Sequence, residues 1–159
     1  MSATPVEESE RRSGPLLQHL ARLMRLRSET VLAPLGLRPR HLVALTVLRD
    51  ADGISQQGLA GTLQLDGTNV VGLLNDLEAD GLVERRRSPR DRRRHVVSLT
   101  DAGANRLREA ECALAEAEDE VLGALAPDER DLLYDLLRRA SQGQPSTCTE
   151  AATDLPDAC

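Results

Sequence analysis

From Leu16 onward the apolar residues repeat at helical intervals. Leu16, Leu20 and Leu23 form one row and Leu17, Met24 and Val31 a second, which predicts a first helix running to about Ala33. Pro15 suits its first position, where the missing N–H would have no partner in any case. Pro34, Gly36 and Pro39 then interrupt the chain, and Leu35 and Leu37 are expected to pack inward. A second helix follows over about 39–51, burying Leu42, Leu45, Val47 and Leu48, and Asp52-Gly53 ends it. Ser55 is a good N-cap for a short third helix carrying Leu59, Ala60 and Leu63. After the turn Gln64-Leu65-Asp66, a fourth helix capped by Asp66 or Thr68 places Val70, Leu73, Leu74 and Leu77 at i, i+3, i+4 and i+7. That stripe faces inward and leaves Thr68, Asn69, Val71, Gly72, Asn75 and Asp76 outward, with Gly81 closing the helix. Leu82-Val83-Glu84-Arg85 and His95-Val96-Val97-Ser98-Leu99 read as two strands joined through the turn former Ser88-Pro89-Arg90-Asp91. Thr100 caps a fifth helix to about Leu125, amphipathic through Leu107, Ala110, Leu114, Ala117, Val121 and Leu125. Pro127 opens a sixth holding Leu132, Leu133, Leu136 and Leu137.

A short helix, a tight turn and an amphipathic helix with small polar residues outward is the layout of a helix–turn–helix. Its second helix fits the major groove, where each base pair shows its own donor and acceptor pattern. Asn69 can pair with adenine, Thr68 can reach a base or phosphate, and Val71 can meet a thymine methyl. Gly72 allows close approach of the backbone, and Asn75 lies on the same outward face. The helix N-terminus itself favours a phosphate.

Charge sharpens this picture. The chain has a formal net charge of -6, yet between positions 85 and 94 Arg85, Arg86, Arg87, Arg90, Arg92, Arg93 and Arg94 stand against the single acid Asp91. A basic block on an acidic body is the footprint expected of a polyanion site, and an arginine tip can enter a narrow minor groove. The remaining basic residues are arginine too, so all 20 cations carry the planar fork that suits phosphate and guanine. The apolar content is mostly leucine, with no Phe or Trp and the single aromatic Tyr134, a composition that favours helices over sheet.

Composition also sets limits. Neither a membrane span nor a signal peptide is legible, and the cytoplasm is the expected compartment. Cys112, Cys148 and Cys159 form no disulfide framework or metal cluster pattern, and no cofactor is implied. Hydrolase elbows and phosphate loops are absent, which argues against an enzyme. Segments 1–13 and 142–159 read as polar tails.

Together, Gly53-Ile54-Ser55-Gln56-Gln57, Leu65-Asp66-Gly67-Thr68-Asn69-Val70 and Leu77-Glu78-Ala79-Asp80-Gly81-Leu82-Val83-Glu84-Arg85 resemble the MarR family of winged-helix regulators. So does Asp91-Arg92-Arg93-Arg94-His95-Val96-Val97-Ser98-Leu99-Thr100-Asp101-Ala102-Gly103. The similarity covers about residues 15–140. It implies a mainly α fold with a small β-hairpin wing, a winged helix–turn–helix lobe over 35–99, and dimerisation helices over 14–34 and 100–141 in an intertwined homodimer. It further implies a palindromic operator in double-stranded DNA and small-molecule control, often by phenolic or other aromatic anions. By the same resemblance Arg93 is the wing-tip residue in the minor groove and Asp91 braces its guanidinium. Gly67 and Gly72 stand where many members carry larger polar or basic residues, and Asp76 puts an acid on the outward face.

For an effector, the polar groups to consider are His19 and Arg22 on the first helix and His41 on the second. Cys112 reads as a packed residue, with a redox role as the alternative, and a dimeric interaction module without operator recognition is the alternative to a DNA reader. Binding that weakens steeply with salt separates the last two.

Overall fold

The computed structural model describes residues 12–51, 53–88, 91, 93 and 95–142. Helix α1 spans Ser13–Leu32 and runs into a 3-10 turn, Ala33–Leu35. Helices α2 (Pro39–Asp50), α3 (Gln56–Leu63) and α4 (Gly67–Ala79) follow. Strands β1 (Val83–Arg87) and β2 (His95–Leu99) then pair antiparallel, with Val83 opposite Leu99 and Arg87 opposite His95. Helices α5 (Asp101–Val121) and α6 (Pro127–Ser141) complete the order.

Local chemistry accounts for most of these boundaries. Gly36 adopts a left-handed φ of 70° to end the 3-10 turn, a conformation glycine reaches without steric penalty. Ser55, Asp66 and Thr100 each accept a backbone N–H from three residues on, satisfying the exposed donors at the starts of α3, α4 and α5. Glu129 Oε2 accepts the Ala126 N–H at 2.8 Å and secures the start of α6 beside Pro127.

Several edges differ from the sequence expectation, among them the following. Helix α1 begins at Ser13, so Pro15 sits third rather than first, still within the turn whose N–H groups lack intrahelical partners. Strand β1 reaches Arg87, because pairing with β2 carries on through the arginines. Helix α5 stops at Val121, short of Leu125, where Leu122 and Gly123 turn the chain toward Pro127. One pairing was not anticipated at all. Ile54 exchanges backbone bonds with Val97 at 3.1 and 2.8 Å, tying the segment before α3 to the hairpin.

The core lies under the helix–turn–helix. The α4 stripe Val70, Leu73, Leu74 and Leu77 is buried to the last residue against Leu42, Leu45 and Leu48 of α2, Leu59 and Leu63 of α3, and Leu107 and Ala110 of α5. Each such leucine or valine side chain contributes about 1.5–3 kcal/mol by leaving water. Gly103 lets α5 seat against the wing, since a Cβ there would stand 2.0 Å from the Leu82 carbonyl oxygen. Beyond the lobe the packing thins. Helix α6 has no buried residue, and Leu16, Leu17, Leu23 and Leu26 on α1 stand exposed with Leu132, Tyr134, Leu136 and Leu137 on α6. Among the described residues no single helix is long and apolar enough to cross a membrane.

Candidate nucleic-acid interface

The turn between α3 and α4 is tight because Gln64 takes a left-handed φ of 51° while the Leu65 N–H bonds back to Ala60 O at 2.9 Å. Half-buried Leu65 anchors the turn on the core. With the apolar stripe of α4 buried, periodicity alone turns Thr68, Asn69, Val71, Gly72 and Asn75 outward, and all are exposed. A Cβ built at Gly67 or Gly72 would meet nothing within 4 Å, so no packing inside the chain requires glycine at either place.

The start of α4 is filled by its own cap. Asp66 Oδ1 accepts the Asn69 N–H at 2.9 Å and Oδ2 accepts the Asn69 side-chain amide at 2.6 Å. The Asn69 backbone N–H, and then its side-chain amide, hold the Asp66 carboxyl below the usual carboxylate range. The phosphate expected at this helix end therefore meets a position already occupied by a carboxylate.

Asp76 does not present its acid to a groove as an unpaired charge. Its carboxylate lies 3.5 Å from the Arg40 guanidinium and 3.6 Å from His41 Nε2, both on α2. His41 is buried, and its Nδ1 accepts the Arg38 N–H at 3.3 Å, which leaves the ring proton on Nε2 toward Asp76. Burial pushes the His41 pKa down from its ordinary 6.5, and the neighbouring Arg40 charge acts in the same direction. His41 thus joins α2 to α4, whereas His19 and Arg22, named with it as effector contacts, are exposed on α1.

The wing is docked on α4 by an arginine that sequence reasoning counted only as part of a charge block. Arg85 ion-pairs with Glu78 and donates to Asn75 Oδ1 at 3.2 Å. Glu78 and Arg85 lie seven apart across a helix end and a turn, where neither helical nor strand spacing signals a contact. Arg86 Nε donates to the buried Ser98 hydroxyl at 2.9 Å across the hairpin. At the tip, Asp91 Oδ1 accepts the Arg93 backbone N–H at 3.0 Å and the Asp91 N–H reaches Ser88 Oγ at 3.3 Å, so the turn carrying exposed Arg93 is fixed by the acid. Arg90, Arg92 and Arg94 lie outside the described residues.

Cys112 is half-buried and disulfide-bonded, which departs from the expectation that the cysteines form no disulfide framework. It borders an open groove of about 640 Å³ along α5 with Asn105, Arg108, Glu109, Ala113 and Glu116. No group of three or more metal-ligating side chains occurs among the described residues.

Residues 35–94, the helix–turn–helix and most of the wing, match the family model described as MarR family. A putative transcriptional regulatory protein for the hcr operon of Thauera aromatica is 32% identical over 131 residues, 80% of this chain and 79% of that protein. The chain belongs to the MarR family. The uncharacterized HTH-type transcriptional regulator YdgJ of Bacillus subtilis is 38% identical over 104 residues, and the match spans 65% of this chain and 63% of YdgJ. Among solved MarR-type structures, the transcriptional repressor CouR bound to a 23-mer DNA duplex is 32% identical. It superposes with a TM-score of 0.67, covering 89% of this chain and 100% of its own. CouR from Rhodococcus jostii RHA1, bound to p-coumaroyl-CoA, is 26% identical with a TM-score of 0.65 over 86% of this chain and 96% of its own. The protein is thus a winged-helix transcriptional regulator of the MarR type.

Proposed function

We propose that this MarR-family protein is a repressor that binds a palindromic operator as a homodimer. Helix α4 of each copy lies in the major groove with Thr68, Asn69, Val71, Gly72 and Asn75 toward the bases. The wing follows the flanking backbone, Arg93 enters the minor groove, and Arg90, Arg92 and Arg94 add phosphate contacts. Residues 35–99 form the reading lobe, and 14–34 with 100–141 supply the dimer arms. The observation that carries this reading is the pairing of an exposed polar α4 face with an arginine wing docked to it through Arg85, on a chain that is otherwise acidic. The exposed leucine rows of α1 and α6 support the dimer, because apolar faces of that extent mark interaction surfaces.

A small-molecule effector releases the operator. Its chemistry is an aromatic acid or its thioester, a class supported by CouR's p-coumaroyl-CoA, with His19 and Arg22 as contacts and His41 acting through Asp76. Titration of the protein against random duplex at low and high salt tests the core of the reading. A DNA reader loses affinity steeply as salt rises. Binding that is absent, or indifferent to salt, supports an interaction module instead.

A further inference from the structure

The two polar residues that open α4 form a closed pair rather than two independent groups, and resting on the function just proposed we infer that Asp66 is a positioning residue for base reading, locking the Asn69 amide in a single orientation. The argument starts from what a carboxylate can do. Ionised Asp66 only accepts hydrogen bonds, so the Asn69 atom 2.6 Å from its Oδ2 has to be the amide nitrogen. The two ends of an asparagine amide are otherwise interchangeable by a half-turn. Here the acid removes that freedom, and the second bond, from the Asn69 backbone N–H at 2.9 Å, holds the carboxylate in place to do so.

An asparagine amide has two N–H groups. The one trans to its carbonyl suits Asp66, and the one beside the carbonyl stays available together with Oδ1. That remaining edge, one donor next to one acceptor, is the complement of adenine N7 and N6 in the major groove. A turn further along, Gly72 leaves open space beside it, so a base edge can approach without meeting a side chain. Asp66 adds a negative charge where the helix end would attract phosphate, and it therefore trades nonspecific attraction for discrimination between bases.

The test is selection of bound duplexes from a random pool by the full chain and by Asp66→Ser, Asp66→Asn, Asn69→Ala and the double variant Asp66→Ser/Asn69→Ala. Serine and asparagine both keep the helix cap, so folding is preserved, and thermal melting checks it. Asn69→Ala is expected to erase the preference at one base pair per half-site. Asp66→Ser is expected to cut the preference at that same pair about tenfold and leave the others alone, with the double variant no worse than Asn69→Ala. Asp66→Asn keeps size and cap but offers an amide of the wrong polarity, so it too loses the preference. Full discrimination retained by either Asp66 variant, or losses that simply add in the double variant, overturns the inference while leaving DNA binding intact. A wild-type protein that binds no duplex at all overturns the function on which it rests.

Discussion

The lobe and the arms of this molecule solve the same burial problem differently. In the lobe, the leucines of α2, α3 and α4 are covered by one another and by α5, and Leu45, Leu59 and Leu77 have no exposed surface. In the arms, α1 and α6 carry leucine rows of equal regularity, yet Leu16 is 67% exposed and Leu132 58%. The chain covers the first set of leucines itself and leaves the second exposed. The lesson is that helical periodicity reports which face wants burial and is silent on whether the cover comes from the same chain. Leu32 of α1 and Leu107 and Ala110 of α5 join the lobe's apolar core, and polar ties add to them: Arg49 of α2 pairs with Glu111 of α5, and Arg106 of α5 donates to the Leu35 carbonyl oxygen.

The contrast breaks most visibly by charging the arms. Leu132→Glu with Leu136→Glu is expected to give a single-chain mass in sedimentation and to weaken binding to a two-half-site duplex about a hundredfold or more, since the second lobe is then no longer tethered. Leu74→Ala in the lobe is its counterpart. It should destabilise by about 2–5 kcal/mol through lost burial and the cavity left behind, read by denaturant unfolding at any protein concentration, whereas the arm variant's stability should no longer depend on concentration.

Next in size is the wing. Arg93→Ala should weaken operator binding by about 1–3 kcal/mol with dimer mass and melting temperature unchanged, measured by fluorescence anisotropy. Gly72→Ala separates stability from function within one helix. It should stabilise the fold by roughly 1 kcal/mol, because alanine is the better helix former and nothing crowds the site, and it should weaken DNA binding where the groove comes close.

The smallest effect concerns the link between α2 and α4. Burial holds the His41 pKa below 6.5, so the folded chain binds the proton less readily than the unfolded one. The stability this neutral histidine contributes is present above pH 6.5 and is lost as pH falls through the folded-state value. Melting temperature should therefore drop between pH 7 and pH 5 by more in the wild type than in His41→Gln.

Much of this was legible in the residues. The α4 stripe, the caps at Ser55, Asp66 and Thr100 and the hairpin all follow from spacing and side-chain chemistry that act within a few positions. Contacts that cross elements were not legible. The outward-facing acid Asp76 reads as a departure from the family pattern, until Arg40 and His41 are found beside it. The Arg85–Glu78–Asn75 dock and the Ile54–Val97 bridge depend on how the chain returns on itself, which no local period encodes. Spacing leaves the cap of α4 open between Asp66 and Thr68; the structure takes Asp66, and nothing in the spacing signals its hold on the Asn69 side chain.

The most direct measurement is the composition of the complex on a duplex selected from random sequence, by sedimentation at two salt concentrations. Two chains per duplex on an inverted repeat, with affinity falling steeply as salt increases, is the expected result. One chain per duplex, or two chains held with no dependence on salt, contradicts a symmetric reader that grips DNA through its arginines.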